Sequence, residues 1–296
     1  MNGVLVVDKP AGPSSHDVVA RVRRATGASR VGHTGTLDPL ATGVLPLVLG
    51  RATRLARFMS GADKEYVADV RFGAATDTYD AQGLAAGDPV ELPEDLDAAR
   101  IRAVLPEFTG TYRQTPPPFS AKKVGGTRAY RLARSNRAVP LTPVDVRVDI
   151  LELQAYAVGL ARLRVVCSAG FYVRTLAHEL GRRLGPGAHL EHLRRTRAGD
   201  FTLEQAIPLA RLDADPAAAS SHLLPLEDLL PSLPRVVLTD RHAQRAAHGN
   251  SLPAADFAGV LPPTAEHVRL VDDSGRLLGI GKAVPGGSLQ PIVVLV

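Results

Sequence analysis

Residues 32–49 read GHTGTLDPLATGVLPLVL, a turn-prone run that holds one carboxylate and passes directly into a solidly apolar run. Gly35 lets the backbone turn sharply, and Pro39 fixes its own φ and lacks an amide donor, so the chain around Asp38 is held in one shape. The apolar residues 44–49 predict a buried strand after this loop. A carboxylate held there can serve as a catalytic acid or nucleophile, although Asp is also common as a simple turn cap.

The segments around this stretch alternate between strand and helix periods without a regular strand–helix–strand rhythm, which favours the α+β class over a doubly wound sheet. Ser14 and Asp17 have the spacing of a helix cap. Leu176, Leu180 and Leu184 recur at helical spacing. We therefore predict strands over 4–7, 66–72 and 163–167, and helices over 15–25 and 172–184.

The C-terminal part has a different pattern. The run LLPSLP at 229–234 is typical of a linker, and DDSG at 272–275 is a hairpin turn signal. Short strands are predicted over 236–238, 268–271, 277–280 and 292–296. We expect two domains, 1–232 and a small β-rich domain over 233–296.

The chain of 296 residues has a net charge of +5 and a pI near 9.6. Basic residues cluster unevenly, which suits a polyanionic partner or, equally, a solvated arginine-rich surface. A single cysteine excludes an intrachain disulfide framework. We see no signal peptide and no apolar run of roughly 20 residues, so we expect a cytoplasmic protein with no membrane span. The densest basic clusters are Arg21, Arg23, Arg24 and Arg30, and Arg182, Arg183, Arg194, Arg195 and Arg197.

Motifs for several other chemistries are incomplete. The glycine-rich runs contain no GxGxxG and no GxxxxGK[ST], so a nucleotide site lacks its phosphate cradle. His178-Glu179 lacks the second histidine of a zincin, and the pair His189 and His192 lacks a third ligand. Ser120 and Ser168 lack a GxSxG context. We therefore expect neither a cofactor nor a metal.

Six segments are spread in order along nearly the whole chain: GVLVVDKPAGPSSHDVV from Gly3, GHTGTLDPLATGVLPLVLGRATR from Gly32, KEYVADVRFGAATDTYDAQG from Lys64, PPPFSAKKVGGTRAYRLAR from Pro116, CSAGFYVRTLAHELG from Cys167 and HLRRTRAGDF from His192. Together they resemble the TruB-type tRNA pseudouridine synthases, which act on uridine 55 in the T-loop of tRNA. The tail, with HGNSLP from His248 and DSGRLLGIGKA from Asp273, resembles a PUA-like RNA-binding domain.

This resemblance implies a pseudouridine synthase fold with a central, mainly antiparallel sheet flanked by helices. It implies that Asp38 is the catalytic aspartate, which attacks C1′ or C6 or promotes a glycal intermediate. Tyr66 would stack on the target base and is the candidate general base, and Arg174 would pair with Asp38. Without the resemblance, a strand-core residue is the plainer interpretation of Tyr66, and a surface arginine is the plainer interpretation of Arg174.

The resemblance also implies a set of substrate contacts. His33 would insert beside the flipped nucleotide, and Tyr172 and Leu193 would line the pocket, although a turn histidine and core residues are the plainer interpretations. Further candidates for phosphate or pocket contacts are Lys9, Lys64, Lys123 and Arg195.

The implied partner is tRNA through its T-arm stem-loop, bound by a monomer with no obligate protein partner. Two alternatives stay open. The chain could be a tRNA-folding chaperone that only binds RNA, or a relative of the guide-RNA-dependent pseudouridine synthases.

Overall fold

The computed structural model describes residues 1–119, 141–253, 265–284 and 287–296, and the backbone of 123–124 and 127–128. The helices are α1 (Ser15–Thr26), α2 (Ala56–Ser60), α3 (Ala98–Val104), α4 (Val173–Leu184), α5 (Leu209–Ala214), α6 (Ala218–Ser221) and α7 (Asp240–Ala247). The strands are β1 (Gly3–Lys9), β2 (Val31–His33), β3 (Thr42–Leu49), β4 (Lys64–Phe72), β5 (Gly110–Gln114), β6 (Lys123–Val124), β7 (Thr127–Arg128), β8 (Val144–Ala157), β9 (Leu160–Cys167), β10 (Ala188–Ala198), β11 (Phe201–Thr202), β12 (Ile207–Pro208), β13 (Leu223–Leu224), β14 (Arg235–Val237), β15 (His267–Val271), β16 (Leu277–Val284) and β17 (Ser288–Val294).

The large sheet has the strand order β12-β1-β3-β10-β4-β9-β8-β5. Its neighbours run antiparallel except at β1/β12 and β3/β10, which are parallel. The prediction of an α+β fold with a mainly antiparallel sheet is therefore confirmed. A second sheet has the order β14-β15-β16-β17 and contains the predicted C-terminal strands.

Strand β3 is buried on both faces, which explains why its sequence is apolar without alternation. Leu45 and Leu47 face the core beneath α1, whereas Val44 and Val48 pack into a second core. That second core includes Leu277 and other residues of the C-terminal sheet. The two sheets therefore share buried apolar contacts across β1 and β3.

Strand β10 lies between β3 and β4 and pairs with both of them. Its residue Arg195 is the register partner of Gly43 on one side and of Tyr66 on the other. Gly43 has a φ of 99°, and a Cβ there would lie 2.2 Å from the Arg195 carbonyl oxygen. Only glycine allows this close approach of β3 to β10.

The helix termini follow the predicted signals. Ser14 and Asp17 form a reciprocal capping box at the start of α1. Tyr172 is the N-cap residue of α4, which places Arg174 in the first helical turn. In the described ranges, no helix has the length and apolarity needed to cross a membrane.

Candidate active site

A cleft of about 250 Å³ opens where the 34–41 loop meets β4, β10 and the start of α4. Apolar and aromatic side chains alternate with charged ones around it, which is typical of a small-molecule or nucleotide pocket. The lining residues are Gly35, Thr36, Leu37, Asp38, Ser60, Lys64, Tyr66, Ser168, Ala169, Gly170, Phe171, Tyr172, Val173, Arg174, Leu193 and Arg195.

Asp38 and Arg174 form an ion pair in this cleft. Arg174 Nε lies 2.9 Å from Asp38 Oδ2. The Arg174 side chain is 7% exposed and that of Asp38 is 41% exposed. The guanidinium therefore lies beneath the carboxylate and orients it, while the carboxylate keeps one side open to a substrate.

Further contacts hold Arg174 in place. Its Nη1 donates to the Thr78 carbonyl at 3.2 Å, and its Nη2 donates to the Phe119 carbonyl at 3.0 Å. Asp80 Oδ2 lies 3.7 Å from Nη1. Because the planar fork is used on three sides, Arg174 has one orientation toward Asp38.

Asp80 is a site residue that the sequence analysis did not identify. Its Oδ1 accepts hydrogen bonds from Thr78 Oγ1 at 2.6 Å and from the Gln82 amide at 3.1 Å. Tyr79, whose φ is 65°, stacks on His178 with a centroid separation of 3.9 Å. This ring contact packs the residue next to Asp80 against α4, the helix that also carries Arg174.

Buried side chains behind the loop that carries Asp38 hold this loop in place by hydrogen bonds. Ser15 Oγ donates to the Leu37 carbonyl at 2.9 Å and accepts from the Leu37 amide at 2.8 Å. Lys9 Nζ donates to the carbonyls of Pro39 at 3.2 Å and Ala41 at 2.7 Å. Because these contacts involve the backbone, they position Asp38 without occupying its carboxylate.

Arg195, on β10, holds the same loop in place by hydrogen bonds from its guanidinium. Its Nη2 donates to the Gly35 carbonyl at 3.0 Å, Nη1 to Thr36 at 3.4 Å and Nε to Val44 at 2.7 Å. The residue is 1% exposed. A buried guanidinium that serves three carbonyls is a positioning element of the loop.

Lys9 and Arg195 are candidates for phosphate or pocket contacts, and their burial and bonds to the backbone favour a positioning role over contact with phosphates. Lys9 is 0% exposed, and its Nζ donates to three backbone carbonyls. Its burial lowers the pKa of Lys9 to about 8, although Asp38 partly opposes the shift. Lys64 lines the cleft, but its Nζ donates to the carbonyls of Ser60 and Ala62. The side chain of Lys123 lies outside the described residues.

Replacement of Arg195 is expected to affect folding and catalysis, with no change in the salt dependence of RNA binding. Arg195→Ala removes the charge and all three hydrogen bonds, and each buried polar group left without a partner costs about 1–3 kcal/mol. We expect a lower free energy of unfolding, measured by urea titration with circular dichroism. The slope of log affinity against log salt should match that of the wild type.

Arg194→Ala is the matched control for this prediction. Arg194 is the neighbouring residue on β10, its side chain is 42% exposed, and it pairs with Asp8 at 2.8 Å. Loss of such a pair costs about 1 kcal/mol or less. A flattened salt slope in Arg195→Ala, with normal stability, would support a phosphate role for Arg195.

Tyr66, Leu193 and Tyr172 lie on the walls of the cleft. Burial raises the pKa of Tyr66, and the nearby Arg195 guanidinium offsets only part of that effect. Tyr66 is thus a neutral phenol at neutral pH. The backbone of Tyr172 is fixed by Gln114, whose Nε2 donates to its carbonyl at 3.1 Å and whose Oε1 accepts from its amide at 2.8 Å.

His33 lies at the end of β2, outside the residues that line the cleft. Its ring contacts that of His16 edge-on, with a centroid separation of 5.8 Å. Burial, together with His16 and Arg195, lowers the pKa of His33, so the ring is neutral at pH 7. Within the described part of the chain, its Nδ1 is buried without a hydrogen-bond partner.

Much of the second basic cluster is neutralised within the fold. Arg183 pairs with Glu107 at 2.8 Å, Arg182 with Glu179 at 3.1 Å, and Arg194 with Asp8 at 2.8 Å. With Arg195 buried, this cluster offers far less free charge to a polyanion than its sequence indicates. In the same described ranges, no three His, Cys, Asp or Glu side chains are grouped as a metal site would require.

Comparison with known proteins agrees with this fold and site. The model for the TruB family pseudouridylate synthase N-terminal domain matches residues 23–173. Two further models, both for C-terminal domains of pseudouridine synthases of this type, match residues 174–231 and 234–295. These matches define the class of protein as a pseudouridine synthase. The chain belongs to the TruB family.

Individual relatives span the whole chain. A tRNA pseudouridine synthase B of Solibacter usitatus (strain Ellin6076) is 46% identical over 100% of both chains. A tRNA pseudouridine synthase B of Symbiobacterium thermophilum (strain DSM 24528 / JCM 14929 / IAM 14863 / T) is 47% identical, and the alignment covers 84% of this chain and 82% of the relative. A chain in the structure of an H/ACA RNP bound to a substrate RNA containing 2′-deoxyuridine has a TM-score of 0.74 and 28% identity, covering 99% of this chain and 85% of that one.

Proposed function

We propose that this chain isomerises uridine 55 in the T-loop of tRNA to pseudouridine, with Asp38 as the catalytic carboxylate. The observation that carries the proposal is the pair of Asp38 and buried Arg174 in a small cleft that Tyr66 also lines. Membership of the TruB family and the names of the full-length relatives support the same reaction and substrate class.

The chemistry requires a carboxylate near the junction of sugar and base. Isomerisation breaks the bond between C1′ and N1, turns the freed uracil and joins C1′ to C5, so the uracil must stay in the cleft throughout. The open side of Asp38 can reach the nucleotide. From there it either attacks C1′ or C6 covalently or begins removal of the C2′ proton on the glycal route.

The cleft walls would hold the detached base. In our proposal Tyr66 lies against one face of the uracil, and Leu193 and Tyr172 exclude water from its edges. A phenol that is neutral at pH 7 must lose its own proton before it can take one from C5, and burial opposes that loss. The packing role is therefore better supported for Tyr66 than the role of general base.

A uridine stacked in a folded T-loop must leave the stack to reach Asp38. We assign to His33 the contact beside the vacated position, because a neutral imidazole can stack on bases and β2 leads directly into the Asp38 loop. We also propose that residues 1–232 carry catalysis and that 233–296 form a PUA-like RNA-binding domain. The chain would act as a monomer without a protein partner, in the cytoplasm.

Mapping of pseudouridine in tRNA transcripts tests the proposal. The purified chain, with no guide RNA, is expected to produce one pseudouridine, at position 55. A transcript with cytidine at that position is the matched control and should remain unmodified. Product that forms only when a guide RNA is added would favour the guide-dependent alternative. RNA annealing with no pseudouridine on any transcript would favour the chaperone.

A further inference from the structure

A basic and aromatic notch lies between α2 and the C-terminal sheet, separate from the catalytic cleft. It is lined by Arg57 and Phe58 from α2 and by His267, Lys282 and Ile292 from β15, β16 and β17. None of these residues entered the sequence-based site. Side chains of α2 and of the C-terminal sheet meet here, so the notch exists only in the assembled fold.

The side chains of the notch contact one another and the backbone of β17. The Arg57 guanidinium carbon lies 4.8 Å from the centroid of the Phe58 ring. Phe58 contacts His267 edge-on with a centroid separation of 5.3 Å. Arg57 Nη2 donates to the Ile292 carbonyl at 3.5 Å. Across the strands, His267 is the register partner of Lys282.

Positive charge exceeds negative charge around the notch. Arg57 and Lys282 line it, and exposed Arg54 lies close by, where its guanidinium donates to the Val294 carbonyl. Glu266, which lies 3.4 Å from Lys282, offsets one of these charges. An excess of cations with an aromatic ring beneath one of them is the chemistry that holds a sugar–phosphate backbone.

The notch is close to the catalytic cleft along the chain. Arg57 and Phe58 precede Ser60 on the same short helix, and Ser60 lines the cleft. Three residues of helix span about 4.5 Å along the axis. One nucleotide of a stacked strand rises about 3.4 Å. An RNA whose target base is in the cleft therefore has backbone within reach of the notch.

We propose that this notch binds phosphates of the same RNA whose uridine enters the catalytic cleft. Arg57 and Lys282 contact the phosphates, and Phe58 holds the Arg57 guanidinium by its ring face. The site would add affinity to the target contacts and connect the C-terminal sheet to substrate binding. This inference rests on the proposed function, because it takes the RNA substrate of that reaction as the ligand of the notch.

Arg57→Ala and Lys282→Ala test the notch, with a full-length tRNA transcript as the probe. Each change should raise the Kd by about three- to tenfold and flatten the slope of log affinity against log salt by about 0.7–0.9, the contribution of one phosphate. The rate at saturating RNA should change less than the affinity. Phe58→Leu, which keeps apolar bulk but removes the ring face, should give a smaller loss of affinity.

Arg102→Ala is the matched control. Arg102 is exposed on α3, which packs against β8 toward the other edge of the large sheet. Its replacement should leave the Kd and the slope at wild-type values. If Arg57→Ala and Lys282→Ala behave like Arg102→Ala, the notch proposal is wrong. Binding is measured without product formation, so failure of the proposed reaction would be seen separately, as absence of pseudouridine with the wild-type chain.

Discussion

Asp38→Asn is expected to reduce pseudouridine formation by at least about 10³-fold while the affinity for tRNA stays within a few-fold of the wild type. Asn has nearly the same shape and can still accept a hydrogen bond from Arg174. It lacks the charge and basicity that the covalent and glycal routes both require. Single-turnover conversion at saturating tRNA, together with filter binding, separates the two effects.

Asp213→Asn is the matched control for Asp38→Asn. Asp213 is exposed on α5 and pairs with Arg21 at 3.2 Å, and neither residue lines the cleft. It should retain wild-type rate and affinity, because an exposed pair contributes little. Substantial product from a verified Asp38→Asn preparation would refute the catalytic assignment of Asp38.

Local signals in the sequence were sufficient to predict the strands and helices that have a regular apolar pattern or a clear cap. The strand over 4–7, the capped helix from Ser15, the strand over 66–72 and the helix after Tyr172 all occur, with ends shifted by one or two residues. The loop before β3 is where the glycine and proline pattern places it. These features depend on neighbours in sequence, and short-range patterns report such neighbours well.

Strand β10 is a strand that the periodicity of the sequence does not predict. Its residues HLRRTRA indicate a basic surface, yet they lie in the middle of the large sheet. Its register shifts between Leu190 and His192 and between Arg195 and Arg197. These shifts interrupt the two-residue alternation of apolar and polar side chains by which a strand is recognised in a sequence. A bulged central strand therefore leaves no simple period in its sequence.

Buried cations could not be recognised for a different reason. Lys9 and Arg195 donate to carbonyls at separations of up to 32 and 160 residues. Nothing in the sequence distinguishes a lysine that meets carbonyls in the fold from one that meets phosphates in a complex. Asp80 is similar, because its approach to Arg174 depends on the segment that runs beside β10.

Arg174→Lys is expected to lower the single-turnover rate by about 10²-fold, the order of loss that follows from displacing a reacting group by about 1 Å. The ammonium keeps the charge but cannot contact Asp38, Thr78 and Phe119 at once. Asp38 would then lose its fixed orientation. The affinity for tRNA should stay within a few-fold, because Arg174 lies beneath the carboxylate and not on the outer surface.

A double-mutant cycle with Asp80→Asn tests whether Asp80 acts through this guanidinium. If Asp80 serves to hold Arg174, its replacement should slow the wild-type chain but have little further effect in Arg174→Lys. Circular dichroism melts would confirm that each variant is folded at the assay temperature. Equal losses of rate and affinity in Arg174→Lys would instead identify Arg174 as a phosphate contact. Asp38 would then have no guanidinium partner in the complex, and its orientation would depend on the buried contacts of Ser15, Lys9 and Arg195 with the loop behind it.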